Sequence, residues 1–229
     1  MPFARIYVVR HGETQENRDS VLQGQLDTQL NETGLEQARR VADALRSVHF
    51  DAAYSSDLAR ALKTAQVILE HRSDIEIRKE EELRERFLGE LQGTKVGRGE
   101  AIRDRVVRGT DTTEPGEAFA ARATGWWKKA ILQRTRALPP REAPYNVLVT
   151  SHGGLITVLV RSLVGSGKVR PAPGVMIATC RNASVTIIEV DLEGPSTLLQ
   201  FGDVAHLEEQ QMVETNVDEV VVDASGIGK

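Results

Sequence analysis

Residues 4–9, ARIYVV, form a run that is apolar but for Arg5 and stops abruptly at Arg10-His11-Gly12, with Glu13, Thr14, Gln15 and Asn17 close behind. A run without polar alternation predicts a strand covered on both faces. The period then lengthens: Leu35, Ala38, Val41, Ala42 and Leu45 recur at helical spacing, with Asn31 placed as N-cap. FDAAYSS (50–56) reads as a second short strand, and DLARALKTAQVILEH (57–71) as a helix with Leu58, Ala61, Leu62, Ala65, Ile68 and Leu69 on one face. A third strand begins at IEIRK and runs into the charged loop EEELRERFLGELQG (80–93). GEAFAARATGWWKKAILQRTRAL (116–138) predicts one long helix stopped by Pro139 and Pro140, in which Trp126 and Trp127 read as core and rim residues. Residues 145–165, YNVLVTSHGGLITVLVRSLVG, repeat the opening grammar of strand, histidine, glycine and helix. ASVTIIEVDL and STLLQFG alternate as antiparallel strands at a sheet edge do.

Strands alternating with helices call for a three-layer α/β/α fold with a mainly parallel central sheet. The expected organisation is one domain over 1–207, with a Gly-, Arg- and Thr-rich insertion at 94–116 facing the substrate. Residues 208–229 read as an acidic, flexible tail. At 229 residues and 40% apolar composition, a single core is the default, and 4% aromatics make it chiefly aliphatic.

Charge narrows the function classes. A net charge of -4 without a basic stripe argues against nucleic-acid or membrane-surface binding, so any anion site is local. Cys180, the single cysteine, allows neither an intramolecular disulfide nor a cysteine-based zinc cluster, and reads as a small buried residue in a reducing compartment. The five histidines show no paired helical spacing, so no metal is expected. No signal-peptide or membrane-spanning pattern stands out, and the expected location is the cytoplasm.

In an open α/β sheet, ligands bind beyond the carboxyl ends of the strands. VVRHG and VTSHGG each place a histidine there, and the glycine after it lets the backbone turn and approach a ligand closely. RHGET with Asn17, the Gln23-Gly24 pair, LNETGLEQA, SSDLARALKTA, LRERFLGELQG and SHGG follow one another along most of the chain. In that order they resemble the histidine phosphatase superfamily, the phosphoglycerate-mutase-like proteins. EPGE and FGDVAHL further resemble its phosphatase branch, which includes fructose-2,6-bisphosphatase and apoptosis-regulator-like members.

The resemblance implies that His11 is the phosphorylated nucleophile, that Arg10, Arg60 and His152 form the phosphate pocket with it, and that Glu85 is the proton donor. Asn17, Gln23, Gly24, Arg86 and Gly153 complete the expected substrate-binding set, and no cofactor is called for. On pattern alone, Arg60 reads equally as an exposed helix residue and Glu85 as part of a solvated loop; Asp57 and Glu117 are the fallback acids. The expected activity is metal-independent hydrolysis of a small phosphorylated metabolite. The rivals are a phosphoglycerate mutase and a catalytically silent phospholigand scaffold. Against the mutase stand Gly154, where such enzymes usually have Asn, and Leu88, where they usually have an aromatic residue. A dinucleotide-binding protein is disfavoured, since no G-x-G-x-x-G follows the first strand. Oligomeric state stays open.

Overall fold

The computed structural model describes residues 3–95 and 112–207. Most of the 94–116 insertion and the whole 208–229 tail therefore lie outside the described residues. Seven strands form one sheet: β1 (Ala4–Arg10), β2 (Ala52–Ser55), β3 (Ile77–Lys79), β4 (Tyr145–Ser151), β5 (Val169–Pro171), β6 (Val185–Val190) and β7 (Ser196–Asp203), in the order β3-β2-β4-β1-β6-β7-β5. The β3, β2, β4 and β1 strands run parallel, whereas β6 is antiparallel to both β1 and β7.

The apolar run of β1 is explained by burial on both faces. Ala4, Ile6 and Val8 join one core cluster with Leu155, Ile156, Phe119 and Trp126, while Tyr7 and Val9 join another with Val41, Phe50 and Ile68. Helices α2 (Glu32–Ala44) and α3 (Ala59–Ile68) cover the second face; α4 (Gly116–Trp126) and α5 (Gly153–Gly165) cover the first. Every residue of α5 from Gly153 to Val160 is buried, as a helix that is apolar nearly all round requires. The result is the expected three-layer α/β/α architecture. No helix among the described residues is long and apolar enough to cross a membrane.

Three details differ from expectation. The helix starting at Gly116 is α-helical only to Trp126, continues as a π-helical stretch (Trp127–Gln133) and ends in one α-turn (Arg134–Arg136). Consecutive bulky side chains supply a reason: Trp126, Trp127, Ala130 and Ile131 are all buried, and the wider helix turns this broader face inward. The outermost strand beyond the antiparallel pair is β5, parallel to β7 and only three residues long, too short to register in the hydrophobic pattern. A four-residue helix, α1 (Gln15–Arg18), also follows the first histidine, capped reciprocally by Thr14 and Asn17.

Asn31 caps α2 as anticipated, its side-chain oxygen accepting from the Gly34 N–H at 2.8 Å. The same residue knits the helix to the turn after β1, since its backbone N–H donates to the Glu13 carbonyl and its side-chain amide to the Glu13 carboxylate. This close approach requires glycine. A methyl group on Gly34 would overlap the Glu13 carbonyl oxygen and lie 2.7 Å from its nitrogen.

Gly34→Ala should therefore destabilise the protein by ~1–3 kcal/mol through overpacking, despite the better helix propensity of alanine. Gly125→Ala, in an exposed part of α4 where a methyl group meets nothing within 4 Å, should instead be neutral or stabilising by up to ~1 kcal/mol. Urea unfolding of the two variants checks the contrast; a Gly34→Ala protein as stable as its parent contradicts it.

Candidate active site

The parallel register of β1 and β4 pairs Arg10 with Ser151, so the next residues, His11 and His152, emerge side by side at the carboxyl edge of the sheet. Their ring centroids are 5.2 Å apart. Arg60 reaches His11 from the first turn of α3, and Glu85, in the loop after β3, reaches Gly154 two residues beyond His152. Arg10, His11, Arg60, Glu85 and His152 are each at most 2% exposed. Burial removes the alternatives that pattern alone left open: Arg60 is not a surface helix residue, and Glu85 does not lie in a solvated loop.

Hydrogen bonds fix the protonation pattern of His11. Its Nδ1 lies 2.7 Å from the Gly12 carbonyl oxygen, which only accepts, so Nδ1 carries the proton. Nε2 then holds a lone pair, and the Arg60 Nε–H donates toward it at 3.4 Å. Burial, followed by the charges of Arg60 and Arg10, holds the His11 pKa well below its usual value. His152 is depressed similarly by burial, then by Arg60, His11 and Arg10. Both imidazoles are neutral near pH 7.

The two arginines are anchored by main-chain oxygens. Arg10 Nη1 donates to the Cys180 carbonyl at 2.9 Å, and its buried Nε has no hydrogen-bond partner among the described residues. Arg60 Nη1 and Nη2 donate to the carbonyls of Leu26 and Gly24 at 2.6 and 2.7 Å. Gly24 adopts φ +51°, and a methyl group there would lie 2.6 Å from the Gln92 side chain and 3.0 Å from the Arg86 carbonyl. Gln23 accepts the hydroxyls of Thr14 and Thr28 on its side-chain oxygen, which steadies the same turn.

Glu85 accepts the Arg86 N–H on one carboxylate oxygen at 2.9 Å and the Gly154 N–H on the other at 2.8 Å. The carboxyl group is thus tied to the first turn of α5, where Gly153 is the first helical residue. Arg86 itself is turned to the Glu114 carbonyl at 2.8 Å, and burial lowers its pKa. Asn17 accepts on its side-chain oxygen from Thr14 and Asn182. The fallback acids are placed otherwise. Asp57 pairs with Arg84, whose guanidinium holds its carboxyl below the usual range, and Glu117 is exposed on α4.

Several residues that support this arrangement escaped the sequence reading. Asn182 lies 3.1 Å from the His11 carbonyl and 3.3 Å from the Gly12 carbonyl, linking the His11–Gly12 turn to the segment before β6. Thr64 accepts the Gly12 N–H, and Ser56 lies 2.9 Å from His152. Arg122 donates to the carbonyls of Glu82, Arg84 and Glu85 while pairing with the Glu114 carboxylate. An Asn before a strand or an Arg on a helix carries no signal of such a task; only the long-range contacts reveal it. Among the described residues, no group of three or more His, Cys, Asp or Glu is arranged to hold a metal ion.

Comparison with known proteins agrees with this geometry. The family model of the histidine phosphatase superfamily (branch 1) matches residues 6–203. Phosphoglycerate mutase-like protein 4 of Arabidopsis thaliana is 32% identical over 219 residues, covering 93% of this chain and 91% of that protein. Fructose-2,6-bisphosphatase TIGAR B of Danio rerio is 30% identical over 247 residues, covering 94% and 92%. Among solved structures, YhfR of Bacillus stearothermophilus matches with a TM-score of 0.73 at 28% identity, covering 90% of this chain and all of that one.

The depressed histidines predict a stability that depends on pH. Below about pH 6.5 the unfolded chain takes up protons that folded His11 and His152 refuse, so stability is complete above that pH and falls as pH is lowered. Each group contributes a slope approaching ~1.4 kcal/mol per pH unit until its folded pKa is reached. Urea unfolding from pH 7.5 to 5.0 should show this decline, and His11→Gln/His152→Gln should flatten it. The remaining slope would come from other groups such as His206, also depressed by burial. An unchanged slope in the double variant contradicts the assignment.

Proposed function

The chain belongs to the histidine phosphatase superfamily (branch 1), and from that premise we propose that it is a metal-independent phosphomonoesterase working through a phosphohistidine intermediate. Its substrate is a small phosphorylated metabolite, a sugar phosphate or bisphosphate. Nucleic acid and membrane are not its partners, and Cys180, buried and outside any disulfide, suits a reducing cytoplasm. The observation that carries the reading is His11: a neutral imidazole whose lone pair sits on Nε2, buried against the Arg60 guanidinium.

Phosphoryl transfer asks chiefly for an in-line nucleophile and for donors around the equatorial oxygens. Nε2 of His11 attacks phosphorus and the bond to the leaving oxygen breaks. As the Nε2–P bond forms, the ring becomes cationic, and the Gly12 carbonyl on Nδ1–H stabilises that charge. Arg10, Arg60 and His152 serve the phosphoryl oxygens. Glu85 protonates the departing alkoxide; its carboxylate then takes a proton from the water that attacks phosphorus in the second step. Cleavage of the N–P bond releases inorganic phosphate and restores neutral His11.

Transfer to water, and not back to the substrate as in a mutase, is favoured by two positions. Gly154 has no side chain to grip a second phosphate, and its N–H is engaged by Glu85. Leu88 is buried and apolar. A mutase must keep a bisphosphate intermediate in place while it reorients, and neither residue offers a polar handle for that.

His11→Ala should lower turnover by at least ~10³-fold, since the clamp remains but nothing attacks. Wild-type enzyme quenched during turnover should carry an acid-labile, base-stable phosphoryl group that the variant lacks. Substantial turnover in the variant would sink the covalent mechanism.

Glu85→Gln should slow alkyl phosphate hydrolysis by ~10² to 10⁴-fold, and affect far less the release of an aryl leaving group that needs no proton. Equal losses on both substrates, with phosphoenzyme formation limiting each, would place the acid elsewhere.

A further inference from the structure

The phosphatase reading needs His152 to donate a hydrogen bond to an anion, yet burial beside two arginines keeps its ring neutral. A neutral imidazole has one donor nitrogen, and the tautomer decides which. Ser56, immediately after β2, holds the relevant partner. Its N–H donates to the Thr150 carbonyl at 2.9 Å, continuing the alignment of β2 with β4 and placing its side chain beside the residue that caps α5. Ser56 Oγ lies 2.9 Å from His152 Nε2 and also accepts the Leu58 N–H at 3.3 Å.

The two possible proton arrangements differ in how many buried groups they leave unpaired, and in what they offer an anion. If Nε2 carried the proton and donated to Ser56, the serine hydroxyl would bring a second proton with no acceptor to receive it. The unprotonated Nδ1 would then turn a lone pair toward any oxyanion bound at the ring. If the hydroxyl donates to Nε2, its proton and one lone pair are both used, and Nδ1 carries the remaining N–H. That Nδ1 is buried and has no hydrogen-bond partner among the described residues, which leaves its N–H for a ligand.

We propose that Ser56 is a positioning residue that locks His152 as the Nδ1–H tautomer, so that a neutral imidazole donates its single hydrogen bond to a phosphoryl oxygen. The two histidines then have matching protonation patterns and opposite tasks. His11 uses Nδ1–H on the Gly12 carbonyl and offers the lone pair of Nε2; His152 uses the lone pair of Nε2 on Ser56 and offers Nδ1–H. One is the nucleophile, the other a donor.

The use made of that donor rests on the phosphatase reading, but the tautomer does not, so the two are tested apart. Nitrogen NMR of ¹⁵N-histidine-labelled, substrate-free protein at pH 7.5, assigned with His152→Gln, should show His152 protonated at Nδ1 and unprotonated at Nε2. Ser56→Ala should give a mixture of tautomers and weaken binding of inorganic phosphate about tenfold, the loss of roughly one charge-assisted hydrogen bond from most molecules. A packing role for Ser56 would leave the tautomer untouched. Wild-type His152 found protonated at Nε2 or doubly protonated, or a Ser56→Ala protein with the wild-type tautomer and phosphate affinity, overturns the proposal. A protein that shows the expected tautomer and phosphate binding but no turnover refutes the phosphatase reading alone.

Discussion

Everything at the site depends on burying two guanidinium groups beside two imidazoles. A buried charge is costly unless hydrogen-bonded, and a carboxylate partner would cancel the field that attracts an anion. Main-chain carbonyls hold both. Cys180 holds Arg10, and Gly24 and Leu26 hold Arg60. A carbonyl accepts the hydrogen bond without neutralising the cation, so the positive potential survives. The same potential then works on the histidines. After burial, it keeps them neutral and leaves His11 an imidazole with its lone pair on Nε2 in place of an imidazolium.

From this constraint follows much of the loop architecture. The Gln23–Leu26 turn is anchored through Gln23 and offers its carbonyls to Arg60; Gly24 makes the turn possible with a positive φ. The segment before β6 offers Cys180 to Arg10 and Asn182 to the His11 turn. Residues expected to be substrate contacts, such as Gln23 and Gly24, thus have visible work in holding Arg60 beside His11. Sheet register supplies the rest: without the Arg10–Ser151 pairing of β1 and β4, the two histidines would not share one pocket.

The parts legible in the sequence were those with a period or a motif. Apolar runs marked β1 and β4, helical spacing marked α2 and α3, and glycine after each strand-end histidine marked the site. Arg60 and Glu85 were not legible as chemistry on pattern alone, because a charged residue on a helix or in a charged loop is usually solvated. The motif resemblance singled them out, and the structure shows them buried. Ser56, Asn182 and Arg122 were missed for a different reason: besides any local contact, each reaches a site segment at least 37 positions away in the chain, a relation that no local pattern encodes. The π-helical stretch after Trp126 was missed because a run of buried bulky residues fits an α-helix equally well when its packing partners are unknown.

Glu85 is where these strands of argument meet. Its carboxylate is tied to α5 through Gly154, and its main-chain carbonyl is held by Arg122 and Gln25. Arg122 also pairs with Glu114, near the C-terminal end of the 94–116 segment expected to face the substrate. The loop carrying Glu85 is therefore fastened at one side to the helix whose N-terminus lies at the pocket, and at the other to the arm of the chain that leads into α4. Fixing a carboxyl group from both sides limits its freedom to small movements. The sheet edge places Arg10, His11 and His152, whereas the placement of Glu85 is shared with the arm that carries Glu114.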